Sequence, residues 1–322
     1  MATALVTEAN ANPALAYTLE VPSNWQKFEP YEPDEDPGPG LHLLGRYGPP
    51  GGRALVEVNT QVLEREISSA DWLDQWVAAN GFEVRESTRT SSSAGFDGRI
   101  LAQRRTDAGV TYLYRFSTFK NGNRVYVVSG LAQPDEMAAF EPGYTLARDT
   151  FLLTAPNAPC AEPLWTTQLD HVVPARIAVP SSWIESRDES AGPDQDSVTF
   201  KNRGPGETVG TIHVLVAPGT TFTTHQQVAD HVLAALAPMF KEPLPPIALA
   251  PVELPLAEPQ QGNTFVQAGS LWIRVRLTVA RLGGAWTSLL LVGFTPVPDE
   301  MLVDAMNNRA YEIALTTLSA AS

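Results

Sequence analysis

One sequence plan occurs twice in this chain of 322 residues, and this internal repeat constrains the fold more than any other feature. The string Pro-Asp-Glu-Met stands at 134–137 and again at 298–301. A Val-Pro-Ser-x-Trp string stands at 21–25 and recurs 158 residues later, at 179–183. The landmarks keep their order, so the chain is a tandem duplication. We expect two domains of one fold, 1–157 and 158–322, that meet in the Pro-rich stretch 155–163.

Helix signals occupy equivalent places in the two copies. In the first, a helix is expected from Ser68 to the Asn-Gly pair at 80–81, and in the second from Thr224, with Gln227 in the capping-box position. Each Pro-Asp-Glu-Met string is interpreted as the start of a closing helix, because proline suits the first turn and acids favour the positive helix terminus. No catalytic interpretation of the string is needed.

Alternating segments between these helices predict strands with a period of two. The clearest are Phe96 to Arg105, Thr111 to Phe119 and Arg124 to Leu131, with counterparts at 262–268, 272–282 and 286–294. Tight turns such as Lys-Asn-Gly-Asn at 120–123 join them and favour an antiparallel sheet. The predicted fold class is α+β: two tandem domains, each an antiparallel sheet with helices packed on one face.

The alternation also suggests a second, helix-free face on each sheet. We expect Val56 and Val58 to share the helix-covered core with Tyr114 and Phe116. The opposite face would then mix apolar, hydroxyl, amide and arginine side chains. The predicted partner-binding residues on it are Leu55, Asn59, Leu113, Ser117, Phe119, His213, Leu215, Arg276 and Thr278. Three interpretations stay open for this face: a groove for a ligand, the contact between the two halves, or a solvated sheet surface.

Composition argues against several classes of protein. The net charge is −14 and no run of three Lys or Arg exists, which disfavours nucleic acid and anionic membranes as partners. With one cysteine, Cys160, no disulfide can form within the chain. We find no basic N-terminal segment and no apolar run of spanning length. A cytoplasmic location and no stable membrane insertion are therefore expected.

Chemistry-bearing motifs are absent from the sequence. The five histidines form no HExxH pair, and neither a P-loop, a G-x-S-x-G string nor a G-x-G-x-x-G string occurs. The glycine-rich strings at 48–52 and 203–210 contain proline, which removes amide donors that a phosphate cradle requires. We therefore expect a protein that is not an enzyme, with no catalytic residues, no metal and no cofactor.

The order of elements around the Val-Pro-Ser-x-Trp strings resembles the Mog/PsbP-like fold. Within that group the chain resembles the Eag (effector-associated gene) chaperones of type VI secretion. The resemblance implies a non-enzymatic adaptor that shields apolar, transmembrane helices of a secreted effector and helps load it on the secretion spike. Eag proteins usually pair single domains, so this fused chain could act as a monomeric pseudo-dimer or as a homodimer.

One further hypothesis is a general protein-interaction module of the same fold, in a trafficking or regulatory scaffold without chaperone activity. In that case the acidic loops at 29–36 and 185–196 would make the contact by electrostatic steering. Neutralising Asp34, Glu35 and Asp36 would separate the two hypotheses.

Overall fold

The computed structural model describes residues 2–10, 12–29, 41–51, 53–92, 95–106, 108–156, 161–187, 194–203, 208–236, 245–268, 271–294 and 301–320. The chain separates into two compact units, Met1–Ala161 and Glu162–Ser322. The predicted boundary at 157/158 lies outside the described residues, as do most of the acidic loops and residues 298–300 of the second Pro-Asp-Glu-Met string.

The first unit combines a three-stranded and a seven-stranded antiparallel sheet with two α-helices. Its strands are β1 Thr3–Glu8, β2 Tyr17–Pro22, β3 Gln26–Phe28, β4 His42–Gly48, β5 Leu55–Val62, β6 Glu83–Ser92, β7 Gly95–Arg105, β8 Thr111–Asn121, β9 Arg124–Ala132 and β10 Leu152–Leu153. The small sheet has the order β1-β2-β10 and the large one the order β3-β4-β5-β9-β8-β7-β6. Its helices are α1 Ser69–Ala79 and α2 Met137–Thr150.

The second unit repeats this arrangement. Its strands are β11 Leu164–Leu169, β12 Ala175–Pro180, β13 Trp183–Ser186, β14 Asp196–Arg203, β15 Thr208–Ala217, β16 Ala250–Pro251, β17 Ala257–Ala268, β18 Leu271–Leu282, β19 Ala285–Phe294 and β20 Ser319–Ala320. Its small sheet has the order β11-β12-β20 and its large sheet the order β13-β14-β15-β19-β18-β17-β16. Its helices are α3 His225–Leu236 and α4 Met301–Thr317.

Both units are α+β folds built on an antiparallel sheet, which confirms the predicted fold class. The expectation that the helices cover only one face of each sheet is wrong. In the first unit α1 packs on β6, β7 and β8 through Trp76, whose ring meets Phe116 edge-on at 5.6 Å between centroids. Helix α2 contacts the other side, where Tyr144 bonds to Ser117, the neighbour of Phe116. Successive strand residues point to opposite faces, so the two helices flank the sheet.

The helix starts follow the capping chemistry expected from the sequence. Ser68 caps α1, with its Oγ accepting a bond from the amide of Asp71 at 3.1 Å. In the second unit Thr224 Oγ1 accepts from the amide of Gln227 at 3.2 Å. These contacts confirm both predicted starts. The first Pro-Asp-Glu-Met string instead forms a turn before α2, which begins at Met137, so its proline does not occupy the first helical position.

A buried tyrosine on the closing helix ties α2 to the first sheet. The hydroxyl of Tyr144 lies 3.0 Å from Ser117 Oγ on β8 and donates to the carbonyl of Val128 on β9 at 3.4 Å. One turn earlier, Phe140 stacks on Trp25 with centroids 5.5 Å apart. These contacts close an apolar core between α2, the small sheet and the large sheet.

In the second unit an equivalent buried tyrosine also bonds the closing helix to the sheet, but the residue one turn before it is different. Tyr311 of α4 lies 2.8 Å from Thr278 Oγ1 and donates to the carbonyl of Leu289 at 3.1 Å. Four residues before the tyrosine, where α2 has a phenylalanine, α4 has the buried Asn307. Its Oδ1 accepts from Asn202 Nδ2 at 2.8 Å. The tyrosine–hydroxyl contact is thus kept in both units while the neighbouring residue differs, as expected of a duplication whose copies have diverged.

Candidate interaction face

The predicted binding residues of the first unit fall on two opposite faces of the sheet. The register pairs Asn59 with Val127, and Val127 with Thr118, so Asn59 and Leu55 lie on the α1 side. Ser117 pairs with Val128, which pairs with Val58, and this row lies on the α2 side. The structure therefore does not bring the five predicted residues together. Leu113, Ser117 and Phe119 share the α2 face, and Leu55 and Asn59 share the α1 face.

The three residues on the α2 face belong to packing within the unit. Ser117 is 2% exposed and bonds to Tyr144. Leu113 and Phe119 are partly buried against the core, and the Phe119 ring lies 5.6 Å from that of Phe151. Their predicted partner contact would require α2 to leave the sheet.

The second unit divides its predicted residues in the same way. His213 and Leu215 lie on the α3 side, and Leu215 is part of the core beneath that helix. Arg276 and Thr278 lie on the α4 side, where Thr278 is fully buried against Tyr311. The role of any of these residues in binding a partner stays a prediction.

The error in face assignment has a physical cause. Because a helix covers each side of the large sheet, the more apolar set of one strand need not face the same side as that of the next strand, and periodicity within a strand cannot tell which sets share a face. Val58 lies on the Ser117 side and not, as expected, beside Phe116. The pairing register, which depends on the long connection from β5 to β9, decides this.

A part of the α1 face in the first unit extends beyond the helix. Helix α1 packs on β6, β7 and β8, whereas half-buried side chains of β3, β4, β5 and β9 continue the same face. We call this surface the first open strip. It consists of Phe28, Arg46, Leu55, Glu57 and Leu131, of which Leu55 was predicted from the sequence.

Charge on the first open strip is internally balanced. Arg46 and Glu57 form an ion pair with 2.7 Å between Nη2 and Oε1, each side chain less than one-fifth exposed. Tyr114, at the border with α1, has a pKa raised above its usual value, chiefly by burial and also by Glu57. Its ring meets Phe82 edge-on at 4.9 Å. The strip thus combines aliphatic and aromatic surface with a neutral pair of charged hydrogen-bonding groups.

The second unit has an equivalent surface on β13, β14 and β15, next to the face that α3 covers. We call it the second open strip. It consists of Ile184, Thr199, Lys201, Thr211 and His213, and it includes one residue predicted from the sequence. Ile184 is 46% exposed, and Thr199 Oγ1 lies 3.0 Å from His213 Nδ1. This strip is more polar than the first.

Sequence reasoning missed most of the open-strip residues. Arg46, Thr199 and Lys201 stand on β4 and β14, which follow the acidic loops and carry weak alternation. Their pairing with β5 and β15 was the missing information. Within the described ranges we find no group of three His, Cys, Asp or Glu side chains that could hold a metal ion. Nor does any helix described here have the length and apolarity needed to cross a bilayer.

No protein-family model matches this chain, and no curated protein matches it. Several solved structures are similar. Cyanobacterial PsbP from Synechocystis sp. PCC 6803 has a TM-score of 0.34 at 8% identity, covering 46% of this chain and 92% of its own. LpqN from Mycobacterium tuberculosis, involved in cell envelope biogenesis, has a TM-score of 0.32 at 13% identity, covering 48% and 93%.

A third similarity spans both units. The T6SS immunity protein TplEi from Pseudomonas aeruginosa has a TM-score of 0.26 at 12% identity, covering 98% of this chain and 97% of its own. At such identities and TM-scores the similarities carry no argument about what this chain binds or does.

Proposed function

We propose that the protein is a non-enzymatic adaptor that binds an apolar helical segment of another protein on its open strips. The observation that carries this proposal is the recurrence of a half-buried, mixed apolar and polar sheet surface beside a helix in both units. The first strip combines apolar side chains with an ion pair, and the second combines Ile184 with hydroxyl, lysine and histidine side chains, so neither is a purely polar solvated sheet face.

The composition of the strips suits a membrane-type helix. Leu55, Leu131 and Ile184 offer apolar area, which stabilises a complex by roughly 25 cal/mol per Å² buried. Thr199 and Thr211 offer hydroxyls to the small polar residues that such helices carry. A partner of this kind would otherwise aggregate in water, so binding to the strips would keep it soluble.

The more specific form of the proposal is a chaperone for a type VI secretion effector. It rests on the resemblance of the duplicated Val-Pro-Ser-x-Trp unit to Eag chaperones. In this form the protein acts in the cytoplasm, shields transmembrane helices of the effector and aids its loading on the spike. The two fused units would supply the pair of domains within one chain.

A synthetic transmembrane peptide tests the binding. A fluorescein-labelled helix of about 20 residues of Leu, Ala and Ser with terminal lysines would be diluted from detergent with and without the full chain. We expect the wild-type chain to keep the peptide in the supernatant after centrifugation. The double variant Leu55→Glu, Thr211→Glu should reduce the soluble fraction at least about fivefold, because buried carboxylates would oppose an apolar ligand.

A matched control uses another leucine of the first unit. Leu152 is 65% exposed and lies on the small sheet, away from the open strip. Leu152→Glu should leave peptide solubility unchanged. Equal effects of the control and the strip variants, or no protection by the wild-type chain, would reject the proposed function.

Neutralising the acidic loop separates the adaptor proposal from the alternative of a general interaction module. Asp34, Glu35 and Asp36 lie outside the described residues, and the adaptor proposal gives them no role. Replacing all three by Asn should not change peptide binding. A neighbouring effector that remains equally soluble in co-expression without this protein would favour the alternative.

A further inference from the structure

In both units the buried tyrosine of the closing helix bonds to a hydroxyl residue of the sheet, Ser117 or Thr278. An arginine stands two residues before that hydroxyl residue in each unit. In the first unit this residue is Arg115, two before Ser117. Its Nη2 lies 2.7 Å from Oε1 of Glu141 on α2, and a second carboxylate, that of Glu86, lies 3.9 Å from Nη1. The charge of Arg115 is therefore neutralised by residues of its own unit.

The second unit has the arginine but no carboxylate at the matching position of the helix. Arg276 stands two residues before Thr278, and its guanidinium lies 5.0 Å from the centroid of the Tyr311 ring. Glu141 precedes its tyrosine by three residues, and the residue three before Tyr311 is Asn308. A neutral amide thus occupies the helix position from which the first unit neutralises its arginine.

The first acid of α4, Asp304, is already engaged by other groups. Asp304 Oδ2 accepts from Arg274 Nη1 at 2.9 Å and from Asn308 Nδ2 at 3.0 Å. Across the described ranges, no ion pair joins Arg276 to a carboxylate. Its one hydrogen bond there runs from Nη2 to Gln261 Oε1 at 3.2 Å, and its other N–H groups keep contact with solvent.

Gln261 and Tyr311 hold this guanidinium in place. Gln261 Nε2 donates to Thr278 Oγ1 at 2.8 Å, which leaves its Oε1 to accept from Arg276. The Tyr311 ring below is fully buried. A guanidinium fixed on an aromatic face and by one hydrogen bond loses little conformational freedom when a ligand binds its remaining donors.

An exposed aromatic side chain lies on the same face of the sheet as this cation. Phe265 is 48% exposed, and the Arg274 guanidinium lies over its ring, 5.6 Å from the centroid. Phe265 pairs with Arg274 and Asn263 pairs with Arg276 across β17 and β18, so all four side chains lie on one face. Among the described residues, this face therefore presents a guanidinium without a carboxylate partner and, at the diagonal position on the neighbouring strand, an exposed phenylalanine.

We propose that Arg276 and Phe265 form a docking site for a peptide segment that carries a carboxylate next to an apolar side chain. Charge complementarity selects this occupant: one uncompensated guanidinium fits one carboxylate, which it can bind with two parallel hydrogen bonds. Phe265 packs the neighbouring apolar side chain. The site lies on the α4 side of the sheet, opposite the second open strip, and does not depend on the proposed function.

Side-chain NMR of the full chain tests the proposal. The probe is N-acetyl-Leu-Glu-Leu-amide, with N-acetyl-Leu-Gln-Leu-amide as its neutral analogue. The Nε–Hε signal of Arg276 is assigned by its loss in Arg276→Lys. We expect a saturable shift with the Glu peptide and at least about tenfold weaker binding of the Gln peptide, because the charge-assisted bond is lost.

Two variants of one residue provide the matched comparison. Asn308→Glu restores the arrangement of Glu141 and should weaken binding of the Glu peptide about tenfold by neutralising Arg276 from within. Asn308→Gln, which adds no charge, should bind as the wild type does. Phe265→Ala should weaken binding without abolishing the preference for Glu over Gln.

Three results would overturn the proposal. One is the absence of a saturable shift with the Glu peptide, and a second is equal binding of the Glu and Gln peptides. The third is undiminished binding in Asn308→Glu, with the fold verified by its thermal transition. If inorganic phosphate bound Arg276 as tightly as the Glu peptide does, Arg276 would be a general anion site. The proposal of a peptide docking site would then also be rejected.

Discussion

Tyr144 and Tyr311 each bring a hydroxyl into a core that excludes water. Burial raises the pKa of both tyrosines from the usual value of 10.0 to about 12. Each hydroxyl has partners in the sheet, Ser117 for Tyr144 and Thr278 for Tyr311. A buried group of this kind stabilises only while it is protonated and bonded.

The two tyrosines should therefore make stability depend on alkaline pH. Their pKa is about 10 in the unfolded chain and about 12 in the folded one, so the folded state binds more protons in that window. Their contribution is fully present below pH 10 and is lost as pH rises through about 12. We expect ionisation of each tyrosine to lower the free energy of unfolding by on the order of 3 kcal/mol across this window, at about 1.4 kcal/mol per pKa unit.

Phenylalanine variants provide the measurement. At neutral pH, Tyr144→Phe and Tyr311→Phe should each lower the free energy of unfolding by about 1–2 kcal/mol through the lost hydrogen bond. Because phenylalanine does not ionise, the gap from wild type should narrow between about pH 10 and about pH 12 in urea titrations. A gap that stays constant with pH would contradict the assignment of the buried hydroxyls.

Helices α1 and α3 start at capping residues that can be compared directly. Ser68 and Thr224 each accept a bond from a backbone amide three residues on. Ser68→Ala and Thr224→Ala should each cost about 1 kcal/mol, measured by urea unfolding. Ser68→Thr keeps the acceptor and should cost less than Ser68→Ala. Equal losses in these two variants would show that the hydroxyl is not the stabilising group.

The sequence contains enough information for most elements but not for their faces. Helix starts, the central strands and the duplication follow from local side-chain chemistry and spacing, which act within a few residues. Strand β6, whose sequence is mostly polar, gave no alternation to detect. The α2 face could not be placed because Ser117 looks like a surface residue until Tyr144, 27 positions later, is found to bond to it.

The candidate surfaces show the same division. Leu55 on β5 and His213 on β15 were each predicted as surface residues from the alternation within their own strand. The neighbours that complete the strips, such as Arg46 beside Glu57, depend on pairing between strands. That Arg276 has no carboxylate partner among the described residues was not detectable from alternation, because it depends on Asn308 standing on α4 where α2 has Glu141. A position-by-position comparison of the two copies could have detected it, because Glu141 and Asn308 stand at matching positions.

At the scale of the whole molecule, each unit contains the contacts that close it. Thr150 at the end of α2 accepts a bond from the amide of Glu20 at 2.8 Å. In the second unit Thr317 accepts from the amide of Ala178 at 3.0 Å. The first and last segments of each unit are thus joined, as expected of a domain with its own core.

Cutting the chain between Ala161 and Glu162 should therefore give two folded proteins. We expect Met1–Ala161 and Glu162–Ser322, expressed separately, to show β-rich circular dichroism and a cooperative thermal transition each. As a matched control, the shorter fragment Met1–Glu136 lacks α2 and should remain unfolded. Loss of cooperative melting in either half would contradict the assignment of two separate cores.

Asn307 limits how far the two copies can still exchange parts. Its side chain fills the space that the Cβ atom of a larger residue at position 210 or 293, both glycines here, would need. Its Oδ1 accepts a hydrogen bond from Asn202 Nδ2. Recombination between the repeats that delivered the first closing helix to the second unit would place a phenylalanine ring there and remove the hydrogen bond from Asn202 Nδ2 to Asn307 Oδ1. Such an exchange should therefore destabilise the second unit, so the closing helices of the two copies are not interchangeable.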